Sequence, residues 1–224
     1  MKTVCFISLF IMSKFCLGQS TLPTDLVLND LNGAVKTVVE IVSVPNTPDV
    51  KKVYHFDRNG LLTTIDEYSE FLNEQDSLIN NSIHHFENKH GERTFTVRDT
   101  KNRAITSTGT FKVLQPNVYS LDVNISKDIR SYSVFKFEAN VLVDRINTIM
   151  KENGEEWVNM QLSYNYTDGL LDWIDVLDLT TKTKDTTHIE NLGIDSYGNF
   201  QSQRYFDQSH TLVYEIKREI NYYD

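Results

Sequence analysis

The chain has 224 residues and a formal net charge of −9 at pH 7, a length that a single all-β domain can reach. Its acidic residues are scattered, and no run of five like charges occurs. This net negative charge excludes nucleic acid as a partner, because phosphate backbones are bound by basic surfaces. The scattered acidic residues indicate a well-solvated protein surface.

The first 18 residues have the pattern of a secretory signal peptide. Lys2 gives a positive start, residues 4–12 form an apolar stretch, and the small residues Cys16 and Gly18 stand where signal peptidase cleaves. A membrane anchor is the alternative, but the apolar run is far shorter than the ~20 residues of a spanning helix. We therefore predict a signal peptide at 1–18, a single β-repeat domain at 19–224 and no transmembrane segment.

Both cysteines of the chain, Cys5 and Cys16, fall inside this segment. A lipid-modified Cys16 is an alternative, which Lys14 and Phe15 argue against because small residues are expected at those positions. The mature chain then has no thiol, no disulfide and a formal charge of −11, because Lys2 and Lys14 are lost and no acid is. Such cysteine usage favours a bacterial periplasm or cell surface over eukaryotic secretion.

The mature chain starts with a polar lead-in at residues 19–30. The first periodic element follows at 31–40, is rich in β-branched residues, and is ended by Pro45 and Pro48. These features predict that the ordered domain begins with a strand.

A hairpin over residues 54–68 sets a pattern that returns along the chain. Its first strand ends at Phe56 and leads to Asn59-Gly60, a strong hairpin signal because Gly accepts positive φ without a Cβ clash. Similar turn residues recur at intervals of 31, 26, 23, 29 and 29 residues: Gly60, Gly91, Asn117, Asn140, Gly169 and Gly198. A period of this kind indicates an internal repeat.

A second set of polar connections lies between these turns, at residues 73–77, 99–103, 126–130, 151–155, 180–185 and 207–210. Because the two sets alternate, each repeat contributes two strands. The intervening segments have period-two patterning, as in the apolar face formed by Val158, Met160, Leu162, Tyr164 and Tyr166. The same pattern at the C-terminus includes Leu212, Tyr214, Ile216, Ile220 and Tyr222, with Arg218 as the charged exception.

These patterns predict an all-β protein, an antiparallel meander of about fourteen strands built from repeated hairpins. We expect the strands to form an extended or curled sheet. A closed barrel is the alternative, since the same meander permits it. The two architectures differ in whether the first strand pairs with the last.

Two of the turns resemble the YD (RHS-type) repeat, in which an aromatic residue, Asp, two free residues and Gly precede an apolar strand. Residues 56–62, FDRNGLL, follow that order, and residues 194–200, IDSYGNF, follow it with Ile in the aromatic position. The other copies differ in length or lack Gly. The opening at 30–38, DLNGAVKTV, also resembles the start of exported Bacteroidetes-type proteins with degenerate hairpins of this kind. The resemblance implies a secreted or surface β-repeat protein and transfers no catalytic residue.

The clustered histidines, His84, His85 and His90, are the first candidates for a metal site. His84 and His85 are adjacent in a predicted strand and point to opposite faces, while His90 lies in a turn. At most two of them can converge, so we predict no metal site and interpret them as strand and turn residues.

Paired carboxylates are the second candidates, because glycoside hydrolysis needs two acids beside a sugar. The available acids are Asp66 with Glu67, Glu155 with Glu156, and the series Asp172, Asp175 and Asp178. Asp172 and Asp178 share one strand face, and Asp175 takes the other beside Trp173. Trp173, Asp172 and Asp175 therefore form a possible ligand surface. The simpler interpretation is an acid on the wet face of a strand, with Trp173 packing sideways.

No catalytic motif stands out. Beyond residues 1–18 the sequence has no Cys, no G-x-S-x-G, no H-E-x-x-H and no Gly-rich phosphate loop. We therefore predict no catalytic residue and no cofactor. The expected function is an exported, non-enzymatic binding or structural module at the periplasm or cell surface, with a protein or carbohydrate partner.

Three alternative functions can be considered, and two of them remain open. One is a lipocalin-like barrel that binds a small apolar ligand. Another is a carbohydrate-active enzyme. An outer-membrane barrel is disfavoured, because polar residues interrupt the strands.

Overall fold

Fourteen antiparallel strands form one closed barrel in this protein. The structure is a computed structural model, and it describes residues 24–69, 79–89, 92–151 and 154–224. The elements in chain order are α1 (Asp25–Leu28), β1 (Val35–Ser43), β2 (Val50–Phe56), β3 (Leu62–Ser69), β4 (Ile79–Lys89), β5 (Glu92–Asp99), β6 (Ile105–Gln115), β7 (Val118–Asn124), β8 (Ile129–Glu138), β9 (Val141–Lys151), β10 (Glu156–Thr167), β11 (Leu170–Asp178), β12 (Lys184–Ile194), β13 (Phe200–Phe206) and β14 (Leu212–Tyr222).

The barrel closes because β1 pairs with β14. Their register runs from Val35 opposite Tyr222 to Ser43 opposite Glu215, and every other strand pairs with its neighbours in the chain. The expected extended or curled sheet is therefore wrong, and the closed barrel, which was the alternative, is the architecture. The physical reason is that an open meander of this length leaves two unpaired edges, whereas closure satisfies both.

Five of the six repeated turn residues lie at one end of the barrel, which we name the tight-turn end. Gly60 (φ 75°), Asn117 (φ 61°), Asn140 (φ 67°), Gly169 (φ 82°) and Gly198 (φ 86°) have positive φ, as the sequence predicts. Gly91 lies outside the described residues. The described members of the second set of connections join the strands at the opposite end, while 73–77 and two residues of 151–155 lie outside the described residues. The two alternating turn sets are thus the two ends of the barrel.

Side chains alternate between the lumen and the outer surface. Buried Val38 pairs with Tyr54 on one side and Ile220 on the other, and residues two positions along each strand share that inward face. Two apolar clusters occupy the lumen. The first contains Leu31, Val35, Val38, Phe56 and Leu62, and the second contains Leu171, Ile174, Ile189 and Tyr205.

The lead-in at 19–30 is more ordered than its polar composition suggests. Residues 25–28 form one helical turn, α1, whose Leu26 packs against the first cluster. The buried Asp25 carboxylate accepts hydrogen bonds from the backbone N–H of Leu62 (2.6 Å) and from Arg93 Nη2 (2.5 Å). The segment that carries α1 therefore enters the barrel at the tight-turn end and is anchored to its inner wall. No helix in the described part of the chain is long and apolar enough to cross a membrane.

Candidate ligand-binding site

The acids and the tryptophan singled out on β11 lie around its outer surface. Trp173 and Asp175 share the outward face, while Asp172 lies where the register of β10 and β11 shifts. Asp175 accepts hydrogen bonds from Asn165 Nδ2 (3.1 Å) and Thr186 Oγ1 (3.0 Å). Asp172 accepts one from Thr167 Oγ1 (2.8 Å). Each carboxylate is therefore already engaged by neighbouring polar side chains.

An open outer groove of about 420 Å³ lies beside Asp175. Other polar residues that line this groove include Gln161, Ser163 and Lys184. Neither Trp173 nor Asp172 lines it. The three residues thus do not converge on one cavity. Their role as a ligand surface stays a prediction.

The histidine cluster is divided as its spacing predicts. His84 pairs with the inward Ile65, and His85 pairs with the outward Thr64. Burial lowers the pKa of His84, which favours a neutral imidazole inside the barrel. His90 lies outside the described residues. Within the described ranges, no group of three His, Cys, Asp or Glu side chains is placed to hold a metal ion.

A cavity of about 260 Å³ lies inside the barrel, between the N-terminal segment and the strands of the opposite wall. We name it the lumen cavity. It extends from Asn140 at the tight-turn end to residues in the middle of β1, β13 and β14. Its polar lining includes Asp30, Glu40, Tyr54, Tyr166, Gln203 and Arg218.

A buried ion pair forms one wall of the lumen cavity. Glu40 and Arg218 are direct partners in the β1–β14 register, and Arg218 Nε donates to Glu40 Oε2 at 2.9 Å. Tyr54 donates its hydroxyl hydrogen to Glu40 Oε1 at 2.9 Å. Arg218 Nη1 also donates to the backbone carbonyl of Asn29 at 3.1 Å, and its guanidinium lies 4.1 Å from the centre of the Phe200 ring. Both oxygens of Glu40 are therefore hydrogen-bonded, and Arg218 ties the N-terminal segment to the closing strands.

A second network holds the neighbouring wall. Gln203 is almost completely buried, donates through Nε2 to Asn191 Oδ1 (2.8 Å) and accepts from the Tyr205 hydroxyl (2.8 Å). The Tyr205 ring stacks on Tyr214 with centroids 4.1 Å apart. Burial raises the pKa of the Tyr205 hydroxyl, so it stays protonated and acts as a donor. The polar side chains of this wall are therefore paired with one another.

Asp30 and Tyr166 are polar groups of the lumen cavity that no described residue engages. Asp30 lies at φ 53°, and its side chain is exposed to the cavity. Burial raises the pKa of this carboxyl, and the positive charge of Arg218 partly opposes the rise. Burial and the nearby Asp30 charge raise the pKa of the Tyr166 hydroxyl. No hydrogen bond or ion pair from a described residue engages the carboxylate of Asp30 or the hydroxyl of Tyr166. The site therefore offers the Asp30 carboxylate as an acceptor and the Tyr166 hydroxyl as a donor, within a lining of paired polar groups.

The lumen cavity was not predicted from the sequence, although two of its residues, Glu40 and Arg218, are visible there as charged residues on apolar strand faces. Arg218 breaks an otherwise apolar strand face, and Glu40 does the same between Val38 and Val42. A charged residue at an inward position in each of the two terminal strands is the pattern expected of a pair across a closing seam. Asp30 has no such signal, because it lies in the lead-in outside any periodic segment.

The outer face of the barrel is charged and polar on most strands. Outward residues at mid-strand include Asp66, Thr96, Thr110, Asp122, Gln161, Asp175, Glu190, Arg204 and Lys217. Arg204 lies between Glu190 (3.7 Å) and Glu215 (3.3 Å) on the two adjacent strands, and Arg130 pairs with Asp122. Such cross-strand ion pairs are typical of a sheet surface in water.

Comparisons with known proteins support the barrel and leave the family open. No family model matches the chain, and no curated protein matches it, so the YD-repeat resemblance stays a prediction. The structure is similar to a porin-like protein from Bacteroides vulgatus ATCC 8482, with a TM-score of 0.52 and 11% sequence identity over 84% of this chain and 98% of that chain. A porin-like protein from Bacteroides uniformis ATCC 8492 gives a TM-score of 0.43 and 9% identity over 85% of this chain and 98% of that chain. The first of these likenesses shows that this chain has the fold of a closed, antiparallel β-barrel.

Proposed function

We propose that this chain is a non-enzymatic binding protein of the bacterial cell envelope, which lies in water and holds a small ligand inside its barrel. The observation that carries this proposal is the lumen cavity. Its walls contain paired buried groups, while no described residue hydrogen-bonds the Asp30 carboxylate or the Tyr166 hydroxyl. A pre-formed concave site with a few convergent polar groups is the usual form of a small-molecule site.

The surface pattern supports a barrel in water. Membrane barrels carry an outward apolar band, and a Lys or Arg facing lipid at the bilayer midplane costs about 2–4 kcal/mol. Here the outward face presents Arg204 and Lys217 at mid-strand with their acidic partners. Two clusters of buried apolar side chains lie inside the barrel, while the apolar side chains exposed outside, such as Ile146 and Trp157, are interspersed with these charged residues.

The interior of the barrel argues against a pore. The protein from Bacteroides vulgatus is described as porin-like, and a pore needs a polar, open lumen. In this chain Leu26 of α1 packs against the apolar cluster inside the barrel, and Asp25 is anchored to Arg93. We therefore infer binding rather than passage through the barrel.

The arrangement of the acids supports a role without catalysis. Glycoside hydrolysis needs one carboxylic acid that can give a proton and a second that is free to act as base or nucleophile. In the lumen cavity both oxygens of Glu40 already accept hydrogen bonds, from Arg218 and Tyr54. Among the described residues no donor engages the oxygens of Asp30, the other carboxylate of the lining, which suits recognition of a ligand.

Location in the envelope is supported by the sequence. The predicted signal peptide at 1–18 contains both cysteines, and a thiol-free mature chain suits an oxidising compartment. Within that compartment, the charged outer face favours the aqueous phase over the bilayer.

Retention of a ligand tests the proposal. The protein is purified after export, and its mass is measured by native mass spectrometry before and after denaturation. We expect a ligand mass on the wild type, or a rise in melting temperature with at least one compound of a metabolite panel.

A matched pair of variants controls the test. Leu142 lines the lumen cavity and Ile146 of the same strand is exposed on the outside, so Leu142→Trp fills the cavity while Ile146→Trp adds equal bulk outside. Binding lost in Leu142→Trp and kept in Ile146→Trp supports the proposal. Absence of any bound ligand in the wild type, or equal binding in both variants, would overturn it.

A further inference from the structure

We infer that the ligand of the lumen cavity is a small organic ammonium ion, held by the Asp30 carboxylate and by tyrosine rings. This inference rests on the proposed function and names the chemical class of its ligand. It follows from the charge, the aromatic lining and the volume of the cavity.

The charge of the cavity is not balanced. Asp30, Glu40 and Arg218 are the charged residues of its lining. Arg218 is committed to Glu40 by the 2.9 Å hydrogen bond, so one negative charge remains, on Asp30. A carboxylate that lines a protein cavity is stabilised when a cation neutralises it. An anionic ligand would meet Asp30 with like charge and would find Arg218 occupied.

The aromatic lining suits an organic cation rather than a bare metal ion. Four tyrosines line the cavity: Tyr54, Tyr164, Tyr166 and Tyr205. The face of an aromatic ring attracts ammonium groups, and such rings form the cages that recognise quaternary ammonium ligands. Arg218 already makes one contact of this kind with Phe200. A metal ion would instead need several oxygen or nitrogen ligands, and the described residues provide no group of three candidates.

The volume sets the size of the ligand. About 260 Å³ corresponds to roughly nine water volumes of ~30 Å³, and it is below the ~300 Å³ at which drug-sized pockets begin. A molecule the size of choline or butylamine fits this space. The Tyr166 hydroxyl, which no described residue engages, can donate to an oxygen carried by such a ligand.

The groups that face Asp30 set the pH dependence. They are Arg218 of β14, Tyr166 of β10 and Tyr205 of β13, with Glu40 behind Arg218. Burial keeps both tyrosines protonated at neutral pH, and Arg218 stays charged. The bound cation needs the ionised form of Asp30, so its affinity falls as the pH is lowered through the pKa of Asp30, which burial places above 3.8.

Isothermal titration calorimetry at pH 7.5 tests the inference with four probes: choline, butylamine, butanol and butyrate. We expect choline or butylamine to bind the wild type, and butanol and butyrate to bind at least about tenfold more weakly. Asp30→Asn removes the charge at nearly constant size and suits the positive φ. It should weaken binding of the ammonium probe at least about tenfold, whereas Asp172→Asn on the outside should not change it. Tyr166→Phe should weaken choline more than butylamine, because only choline carries a hydroxyl.

The possible results separate failure of this inference, about the ammonium ligand, from failure of the proposed function, ligand binding in the lumen cavity. Equal affinity of Asp30→Asn and the wild type for the ammonium probe would overturn this inference. Binding of butanol or butyrate that Leu142→Trp abolishes, with no binding of an ammonium probe, would also overturn it while leaving the proposed function in place. Absence of binding by all four probes and by the metabolite panel would overturn both.

Discussion

Replacement of Arg218 by Met tests the ion pair that joins the closing seam to the lumen cavity. The Arg218 side chain is 11% exposed and that of Glu40 is 9% exposed. In Arg218→Met, Glu40 keeps the Tyr54 hydroxyl as its donor and loses its countercharge. The carbonyl of Asn29 also loses its side-chain donor. Both losses leave polar groups inside the protein without compensation.

The expected magnitude follows from burial. Removal of one partner of a buried ion pair costs about 3–5 kcal/mol, because the other charge is left uncompensated. For a barrel of this size, 1 kcal/mol corresponds to about 2–4 °C in melting temperature, so we expect a fall of about 6–20 °C. The unfolding free energy, measured with urea and followed by tryptophan fluorescence, should fall by the same 3–5 kcal/mol with an unchanged m-value.

Two further variants test whether the loss of stability comes from the buried ion pair. Lys217→Met removes the neighbouring outward cation, which is 60% exposed and pairs with Glu215, and it should cost less than about 1 kcal/mol. The double variant Glu40→Leu with Arg218→Met removes both buried charges and should recover much of the lost stability. A loss below about 1 kcal/mol for Arg218→Met, or a double variant as unstable as the sum of its parts, would refute the reasoning.

Two other predictions concern the N-terminal segment. Asp30→Asn should raise the unfolding free energy at pH 7: the folded pKa of Asp30 lies above its unfolded value, so the ionised carboxylate destabilises the fold above that pKa. The gain should shrink as the pH is lowered through the folded pKa towards 3.8, and urea titrations at several pH values that show no such trend would contradict it. Gly60→Ala should destabilise the protein more than Gly169→Ala, because both glycines have positive φ but a Cβ at Gly60 would lie 2.7 Å from Leu26 Cδ1, while Gly169 has no neighbour within 4 Å. We expect about 1–2 kcal/mol for the shared backbone strain and a further loss at Gly60 alone, and equal melting temperatures for the two variants would show that α1 does not pack there.

The strands and turns could be predicted from sequence because their signals are local. Positive φ at Gly60 and Asn117, and period-two patterning between such turns, depend only on neighbouring residues. Closure could not be predicted in the same way. It depends on one long-range pairing, β1 with β14, whose strand ends lie at opposite ends of the chain and whose geometry is set by the summed twist of all the strands.

The site was harder to predict than the fold. The β11 acids drew attention because Asp172, Asp175 and a Trp are close in sequence, but an outward carboxylate is hydrogen-bonded by the nearest Thr or Asn and needs no ligand. The residues of the lumen cavity come from distant parts of the chain, and only closure brings Glu40 to Arg218. The same closure places the lead-in residue Asp30 inside the barrel.

We propose a closed barrel whose charged outer face lies in water and whose two apolar clusters lie inside. Both native cysteines, Cys5 and Cys16, fall in the predicted signal peptide, so a single cysteine introduced into the exported protein gives a unique label. The direct measurement is the rate of reaction with a charged maleimide, with and without phospholipid vesicles, at outward Thr96→Cys and at inward, buried Ser133→Cys. We expect fast labelling at position 96 that vesicles do not slow, and slow labelling at position 133. Protection of position 96 by vesicles, together with flotation of the protein with the lipid, would contradict it.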